Sequence, residues 1–330
     1  MPELTGTAAE AFEARVREHE DRWLSSLAVR SYETAGRRAP EEECELRTPF
    51  QRDRDRIVHS KAFRRLRGKT QVFIDPRGDH YRTRLVHTLE TAGISRTVAR
   101  ALGLNEDLTE AIALGHDLGH APFGHTGEEA LDSALGERFG RRFRHNEHSL
   151  RVVESLERDG RGLNLTAEVR DGILHHTGLG EPSTLEGKIV RVVDRVAYIN
   201  HDIDDAERAG VLAHGELPPD ELTVLGETGS RRIDTLVHDL VEHSAAAGDI
   251  VQGDEVGRAM ANLRAFMFER VYLAGAAAEQ RETAVATVRR IFDHLVDHPD
   301  DLPSGGPGDL GQRVTDYVAG MTDRFALAWR

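Results

Sequence analysis

The stretch LGHDLGHAPFGHTGEEAL, residues 114–131, concentrates proton-carrying and metal-binding side chains in one bend of the chain. Three histidines, one aspartate and two glutamates lie between positions 116 and 129. Apolar residues at helical spacing lead into the stretch, and Pro122 and Gly124 cannot continue a regular helix. The sequence therefore predicts a helix, a bend and a second helix beginning near Thr126, with the reactive side chains at the bend.

Outward from this stretch, most of the chain shows the periodicity of α-helices rather than of strands. We expect an all-α fold with one small β-hairpin, Val72–Ile74 paired with His80–Arg82, across a Pro-Arg-Gly-Asp turn. Asn105 is expected to cap the helix that enters the bend, and 212–230 is expected to be a loop. Helices are predicted at 8–36, 82–104, 105–115, 146–158, 166–176, 185–208, 231–246, 254–274, 280–298 and 310–327.

The organisation that follows is an N-terminal helical extension at 1–46, a catalytic core at 47–210 and a C-terminal helical region at 211–330 packed on that core. The N-terminus lacks an apolar signal segment, and no run approaches the length of a transmembrane helix, so we expect a cytoplasmic protein. The single cysteine, Cys44, excludes a disulfide within the chain and fits a reducing compartment.

Charge is distributed unevenly along the chain. The net charge of −14 opposes general binding of polyanions. Residues 47–84 nevertheless carry twelve Arg or Lys and four Asp, an excess of eight positive charges. This block indicates either a local anion site or a salt-bridged helix face, and composition alone does not separate the two.

Four side chains from three predicted helices could bind one metal ion. His116 and Asp117 are adjacent at the bend, His87 lies on the preceding long helix, and Asp194 interrupts an apolar helix. A carboxylate in such a helix needs a partner, because an unpaired buried charge is very unfavourable. Two imidazoles and two carboxylates suit Mg²⁺, Mn²⁺, Co²⁺, Fe²⁺ or Zn²⁺. The zincin motif HExxH is absent from the sequence, so we set that class aside.

The same residues resemble a known family. His87, His116–Asp117 and Asp194 match the pattern of HD-domain phosphohydrolases, and HDLGHAPFGHTGEEAL with RIVHSKAFRRLRGKTQVF upstream resembles the deoxyguanosine triphosphate triphosphohydrolases. The resemblance is strong over 47–210 and weaker over 255–275. It implies hydrolysis of a deoxynucleoside triphosphate (dNTP) at the α-phosphorus, to a deoxynucleoside and inorganic triphosphate. It also implies a homo-oligomer, often a hexamer, and in some members activation by a second nucleotide.

The resemblance also implies roles for individual residues. His125 with Glu128 would be the acid/base pair, and His120 a second proton donor or phosphate contact. A carboxylate behind an imidazole fixes its tautomer and raises its basicity. Glu129 instead fits a capping box with Thr126, and Ser183 with Glu186 fits another. The implied substrate contacts are Arg84 at the α-phosphate, Gln71 at the base or sugar, His145 near the phosphates, Tyr198 and Asp202 at the sugar, and Arg52, Arg65, Lys69, Arg195 and Arg264 along the triphosphate.

Two other functions stay open on sequence grounds. One is an HD phosphohydrolase acting on a nucleoside monophosphate or another phosphoester, although the basic block favours a polyphosphate. The other is a nucleotide- or nucleic-acid-binding regulator with an inactive site, which the intact set of metal and acid/base residues disfavours. Single-stranded DNA could still bind the 47–84 block as an effector. The sequence assigns no role to His148, His175 or His176, and it leaves the preferred base and metal open.

Overall fold

The computed structural model describes residues 8–71, 82–213, 215–272 and 278–329. Within these ranges the chain is helical and contains no β-strand, which confirms the all-α class. The α-helices are α1 Ala8–Trp23, α2 Pro49–Val58, α3 Lys61–Arg65, α4 Arg84–Ala101, α5 Glu106–Gly115, α6 Gly124–Phe139, α7 His145–Arg151, α8 Ala167–His175, α9 Leu185–Arg208, α10 Pro219–Leu225, α11 Gly229–Ala247, α12 Asp254–Met267, α13 Ala278–Asp297, α14 Leu310–Ala319 and α15 Asp323–Ala328.

The predicted hairpin is not seen. Its strands and turn lie outside the described residues, with the exception of Arg82. The residues that flank this segment, Thr70 and Thr83, form one isolated antiparallel bridge. The bridge brings Thr70, within the basic block, beside the start of α4.

Two predicted helices are shorter or divided in the structure. The expected helix 8–36 ends at Trp23 because the chain turns back, and the buried Glu20 carboxylate accepts hydrogen bonds from the backbone and hydroxyl of Ser31. The expected helix 310–327 is two helices, α14 and α15, because the Thr322 side chain caps a new helix start. The expected loop 212–230 contains the short helix α10, and α2 and α3 were not predicted.

Helix capping positions the bend that carries His116. Asn105 caps α5 as predicted: its side chain accepts from the Leu108 amide at 3.2 Å and donates to the Val29 carbonyl at 2.8 Å. Such a cap stabilises a helix by about 0.5–2 kcal/mol. It fixes where α5 begins, and the ten-residue α5 therefore delivers His116 directly at its C-terminal end.

Neither predicted capping box forms. Helix α6 begins at Gly124, earlier than Thr126, and Glu129 instead contacts Arg281 at 2.9 Å. Helix α9 is capped by Thr184, and Glu186 is buried, where it accepts from the backbone amides of Val29 and Asn105. Glu129 and Glu186 therefore make contacts with residues remote in sequence, which their local spacing does not reveal.

Two apolar clusters lie on either side of the bend. One joins α2, α5, α8 and α9 through residues such as Ile57, Ile112 and Ile173. The other joins α6 to the C-terminal helices α13 and α14, and it includes Phe123 from the bend together with Phe292 and Val318. The bend is therefore packed between the central helices and the C-terminal region. No described helix combines the length and apolarity needed to cross a bilayer.

Candidate active site

Three of the four predicted metal ligands, His87, His116 and Asp194, meet at one point, and Asp117 adjoins them beside His116. His87 comes from α4, His116 and Asp117 follow α5, and Asp194 comes from α9. Nε2 of His87 lies 3.0 Å from Oδ1 of Asp194, and Nε2 of His116 lies 3.6 Å from carboxylate oxygens of both Asp194 and Asp117. Ligand atoms of His87, His116 and Asp194 all lie within 4.8 Å of one another.

The donor set fits a divalent cation. Nδ1 of the buried His116 lies 2.6 Å from the Ala113 carbonyl, so this nitrogen carries the proton and Nε2 keeps a free lone pair. That Nε2 atom has no hydrogen-bond partner among the described residues. A buried nitrogen lone pair aimed at two carboxylates is unfavourable without a cation between them. HD domains are metal-dependent, and these side chains could bind such an ion.

The electrostatics of the site match this geometry. Burial lowers the pKa of His116, but the carboxylates of Asp117 and Asp194 outweigh it and raise that pKa to about 9, so a proton and a metal ion compete for the Nε2 lone pair at neutral pH. Burial opposes ionisation of Asp194, yet its contacts with His116 and His87 hold the pKa of this carboxyl well below its usual range. Both aspartates are therefore ionised at neutral pH and available to a cation.

Arg84 stands beside the metal ligands as an incompletely paired cation. It is 2 % exposed, and one guanidinium nitrogen donates to Oδ2 of Asp117 at 2.8 Å. The other two nitrogens, Nε and Nη2, have no hydrogen-bond acceptor among the described residues. A Cβ at Gly124 would lie 2.8 Å from the carbonyl oxygen of Gln71 and 3.3 Å from Arg84 Nη2, so glycine keeps this space open. Arg84 thus has donors to spare for an anion.

A second cluster of histidines surrounds Glu128. Both oxygens of Glu128 lie 2.9 Å from Nδ1 of His145, and one of them also accepts from the His145 backbone amide. The predicted partner, His125, is 3.6 Å away and its side chain is 68 % exposed. His120 stacks on His145 with ring centroids 4.6 Å apart. The prediction that His125 and Glu128 form the acid/base pair stays a prediction, and the structure adds that His145 lies closer to Glu128 and is buried beside it.

This pairing sets the charge of the cluster. Burial opposes ionisation of Glu128, but His145 and His125 lower the pKa of this carboxyl strongly. Burial also opposes protonation of His145, but Glu128 raises its pKa. For His120 and His176 burial prevails, and it lowers the pKa of His176 to about 3. The cluster therefore favours one ionised carboxylate and one imidazolium among neutral imidazoles.

A cavity of about 280 Å³ opens between the two clusters. Burial lowers the pKa of Arg195, as do the neighbouring guanidinium groups of Arg191 and Arg264. Such mutual repulsion favours the binding of an anion. Burial raises the pKa of the Tyr198 phenol, on the same wall, to about 12. The predicted residues that line the cavity are Gln71, Arg84, His87, Asp117, His120, His125, His145, Asp194, Arg195, Tyr198 and Arg264.

Three predicted triphosphate contacts lie elsewhere. Arg52 is engaged by the loop before α2, where it pairs with Glu41 and Glu43. Arg65 lines a separate cavity beside α14. The buried Lys69 donates to the carbonyls of His120 and Ala319, at 2.5 and 2.8 Å, so its ammonium faces the back of the bend. The predicted sugar contact Asp202 is buried and does not line the cavity.

The sequence analysis missed four residues that line the cavity: His176, Thr177, Gly178 and Arg191. His176 lies in the dipeptide His175–His176, and its Nε2 is 3.2 Å from Nε2 of His145. Arg191 precedes Asp194 by three positions, so both lie on one face of α9. Its guanidinium donates to the carbonyls of residues 175, 178 and 180. The three-residue spacing between Arg191 and Asp194 was the signal in the sequence that could have identified Arg191.

The bend itself is tightly constrained. Phe123, which precedes α6, has φ 64°, in the left-handed region that bulky residues avoid. Such a residue costs about 1–3 kcal/mol and persists only where its surroundings hold it. At Gly119 a Cβ would lie 2.1 Å from the Ser149 amide nitrogen, and the Ser149 hydroxyl accepts from the Gly119 amide and donates to the His116 carbonyl. His116 and Asp117 therefore lie on a tightly constrained loop.

Comparison with known proteins places this geometry in a family. The HD domain model matches residues 84–199, and the phosphohydrolase-associated domain model matches residues 250–330. The chain is 54 % identical to a deoxyguanosinetriphosphate triphosphohydrolase-like protein of Caldanaerobacter subterraneus subsp. tengcongensis, across 94 % of this chain and 92 % of the relative. It is 46 % identical to proteins with the same name from Clostridium perfringens, covering 92 % and 91 %, and from Clostridium tetani, covering 91 % and 89 %. The chain therefore belongs to the HD-domain family of deoxyguanosinetriphosphate triphosphohydrolase-like proteins.

Proposed function

We propose that this protein hydrolyses deoxynucleoside triphosphates to a deoxynucleoside and inorganic triphosphate. The observation that carries the proposal is one cavity lined by three of the four proposed metal ligands, by His145 of the Glu128–His145 pair and by four arginines. A single phosphate needs fewer cations than Arg84, Arg191, Arg195 and Arg264 supply, whereas a triphosphate can use all of them. The names of the relatives support the same substrate class.

The metal ligands would be His87, His116, Asp117 and Asp194. A divalent ion bound there supplies Lewis acidity that polarises a phosphoryl oxygen. Arg84, with two unused nitrogens beside Asp117, orients the α-phosphate next to that site. Water adds to the α-phosphorus, and the bond to the 5′ oxygen breaks. The products are triphosphate and the 5′-hydroxyl of the deoxynucleoside.

The histidines around Glu128 would protonate the leaving 5′ oxygen. His125 is exposed at the cavity lining and lies 3.6 Å from Glu128, so it can exchange protons with solvent and deliver one to the leaving oxygen. His145, held as a cation by Glu128, stabilises negative charge on the phosphates. His120, neutral and stacked on His145, provides a further contact with the phosphates.

Tyr198 follows Asp194 by four residues on α9, so the sugar would lie along this helix, although the buried Asp202 one turn further does not line the cavity. The Tyr198 ring lines the cavity, where a 2′-hydroxyl would collide with it and deoxyribose would fit. Gln71, on the opposite segment, would contact the base or sugar. The basis for sugar selection is thus steric exclusion by a half-buried ring.

A product assay tests the proposal. The purified protein is incubated with each dNTP, singly and in mixtures, in Mg²⁺, Mn²⁺ or Co²⁺, and the products are separated by anion-exchange chromatography. Deoxynucleoside and triphosphate in equal amounts support the proposal. Orthophosphate released from nucleoside monophosphates, with dNTPs left intact, would instead identify an HD phosphohydrolase that acts on monophosphates.

The mixtures also test regulation. We propose a homo-oligomer of even subunit number that a second nucleotide activates and that single-stranded DNA can modulate. Activation appears as turnover of one dNTP only when another is present. Binding of DNA through cationic side chains appears as an affinity that falls steeply with salt.

A further inference from the structure

Two separate segments supply cavity residues next to each other. Gln71 lies within the basic block 47–84, and His125 follows Phe123 at the start of α6. These segments are far apart in sequence, so their relative position depends on whatever joins them. In the structure one side chain from the C-terminal region contacts both.

That side chain is Asp323, the first residue of α15. Its Oδ2 accepts from the backbone amide of Thr70 at 2.8 Å, and its Oδ1 accepts from the backbone amide of Phe123 at 2.9 Å. The carboxylate is 8 % exposed and bridges the residue before Gln71 to the residue two positions before His125. Buried hydrogen bonds from backbone amides to a carboxylate are short and strong.

Phe123 is the position where such a bond matters most. Its left-handed backbone conformation is disfavoured for a bulky residue and must be imposed from outside. Its side chain is buried in the cluster that α13 and α14 complete, and its amide is held by Asp323. The C-terminal region thus holds both the ring and the backbone of the residue that directs α6 and His125.

Other contacts from the same region reach the same bend. Lys69 ties the carbonyl of His120 to that of Ala319 in α14. His148 lies 2.8 Å from the Gly119 carbonyl through Nδ1 and 3.3 Å from Asp316 in α14 through Nε2. Lys69 also joins the segment of Gln71 to the bend, whereas Asp323 differs in holding backbone amides of both segments through one carboxylate.

We propose that Asp323 is a positioning residue for catalysis: it fixes Gln71 and His125 relative to each other without touching the substrate. The effect on turnover rests on the proposed function, whereas the effect on the two backbone segments does not. Loss of one carboxylate oxygen is expected to leave binding of metal intact and to reduce turnover.

The test is Asp323→Asn in the full chain, compared with Thr322→Ala. The asparagine amide nitrogen cannot accept, so one of the two backbone amides loses its partner. Thr322→Ala removes the cap of the same helix, whose hydroxyl accepts from Phe325, and leaves Asp323 in place. For D323N we expect kcat to fall by about tenfold or more, with KM and bound metal within twofold of wild type. We expect the Tm of T322A to decrease by about as much as the Tm of D323N, while its kcat stays at the wild-type value.

Amide hydrogen exchange gives a readout that needs no substrate. Peptides covering 66–71 and 118–126 are expected to exchange faster in D323N than in T322A and wild type. Unchanged exchange in D323N would overturn the proposal, as would equal losses of kcat in the two variants. If the wild type hydrolysed no dNTP, the proposed function would fail, and the exchange measurement would still decide whether Asp323 holds the two segments.

Discussion

Glu128 contacts His145 more closely than it contacts His125: its oxygens lie 2.9 Å from Nδ1 of His145, and the shorter distance to Nδ1 of His125 is 3.6 Å. The closer histidine is buried and the farther one is exposed. One carboxylate thus serves two imidazoles with different access to solvent. The exposed imidazole is open to solvent, while Glu128 raises the pKa of the buried one and so favours its protonated form.

The first prediction concerns this charge. Glu128 raises the pKa of His145, so the imidazolium form is present below that raised pKa and is lost as the pH increases through it. In Glu128→Gln we expect His145 to lose its proton at lower pH than in wild type. NMR titration of ¹³C-labelled histidines, assigned with His145→Gln, measures the shift. Glu129→Gln, which alters only the exposed pair with Arg281, is the control and should not move it.

The second prediction separates His125 from the metal site. In His125→Ala we expect kcat to fall by about 10²–10⁴ because a proton donor is removed from the transition state. Bound metal, measured by elemental analysis, should match wild type. An unchanged kcat would remove His125 from the reaction.

The third prediction concerns the metal ligands. His116→Ala and Asp117→Ala should each lose the bound ion and reduce activity on the order of 100-fold or more, since the ion would supply the Lewis acidity that polarises a phosphoryl oxygen. His238→Ala is the matched histidine control, because that side chain is 73 % exposed on α11. Full activity in metal-free His116→Ala would show that His116 does not bind a metal ion needed for the reaction.

The fourth prediction concerns sugar selection. Removing the Tyr198 ring makes room for a 2′-hydroxyl, so Tyr198→Ala should reduce the ratio of kcat/KM for dNTP over rNTP by about tenfold or more. Tyr317→Ala, beside the separate cavity at α14, should leave the ratio unchanged. A ratio that persists in Tyr198→Ala would mean that another residue excludes ribose.

The fifth prediction concerns stability and pH. Burial lowers the pKa of Lys69 from 10.5 to about 7 in the folded chain. Between these values the unfolded chain binds more protons than the folded chain, so this lysine makes the free energy of unfolding increase with pH. Compared with Lys69→Met, the wild type should gain stability between pH 7 and 9 in urea denaturation. Lys61→Met, at an exposed lysine, should show a constant difference from wild type; the same constancy in Lys69→Met would contradict the buried charge.

Local sequence determined much of the helical framework. The predicted helix 185–208 matches α9 at both ends, and Asn105 caps α5 as expected, because apolar periodicity and capping act over a few neighbouring residues. The set His87, His116, Asp117 and Asp194 was also recognisable in the sequence, since a carboxylate within an apolar helix requires a cation. Their convergence in the structure fits that expectation.

Only the tertiary structure decided which of several similar basic side chains and histidines contact the site. Composition left open whether the basic block is an anion site or a salt-bridged helix face. In the structure Arg84 lines the cavity, while Arg52 pairs with acids of a neighbouring loop and Lys69 binds carbonyls behind the bend. Glu128 could pair with His125 by spacing, but packing of α7 brings His145 closer. Charge and hydrogen-bonding capacity are properties of a residue type, whereas distance and burial are set by contacts between segments that are remote in sequence.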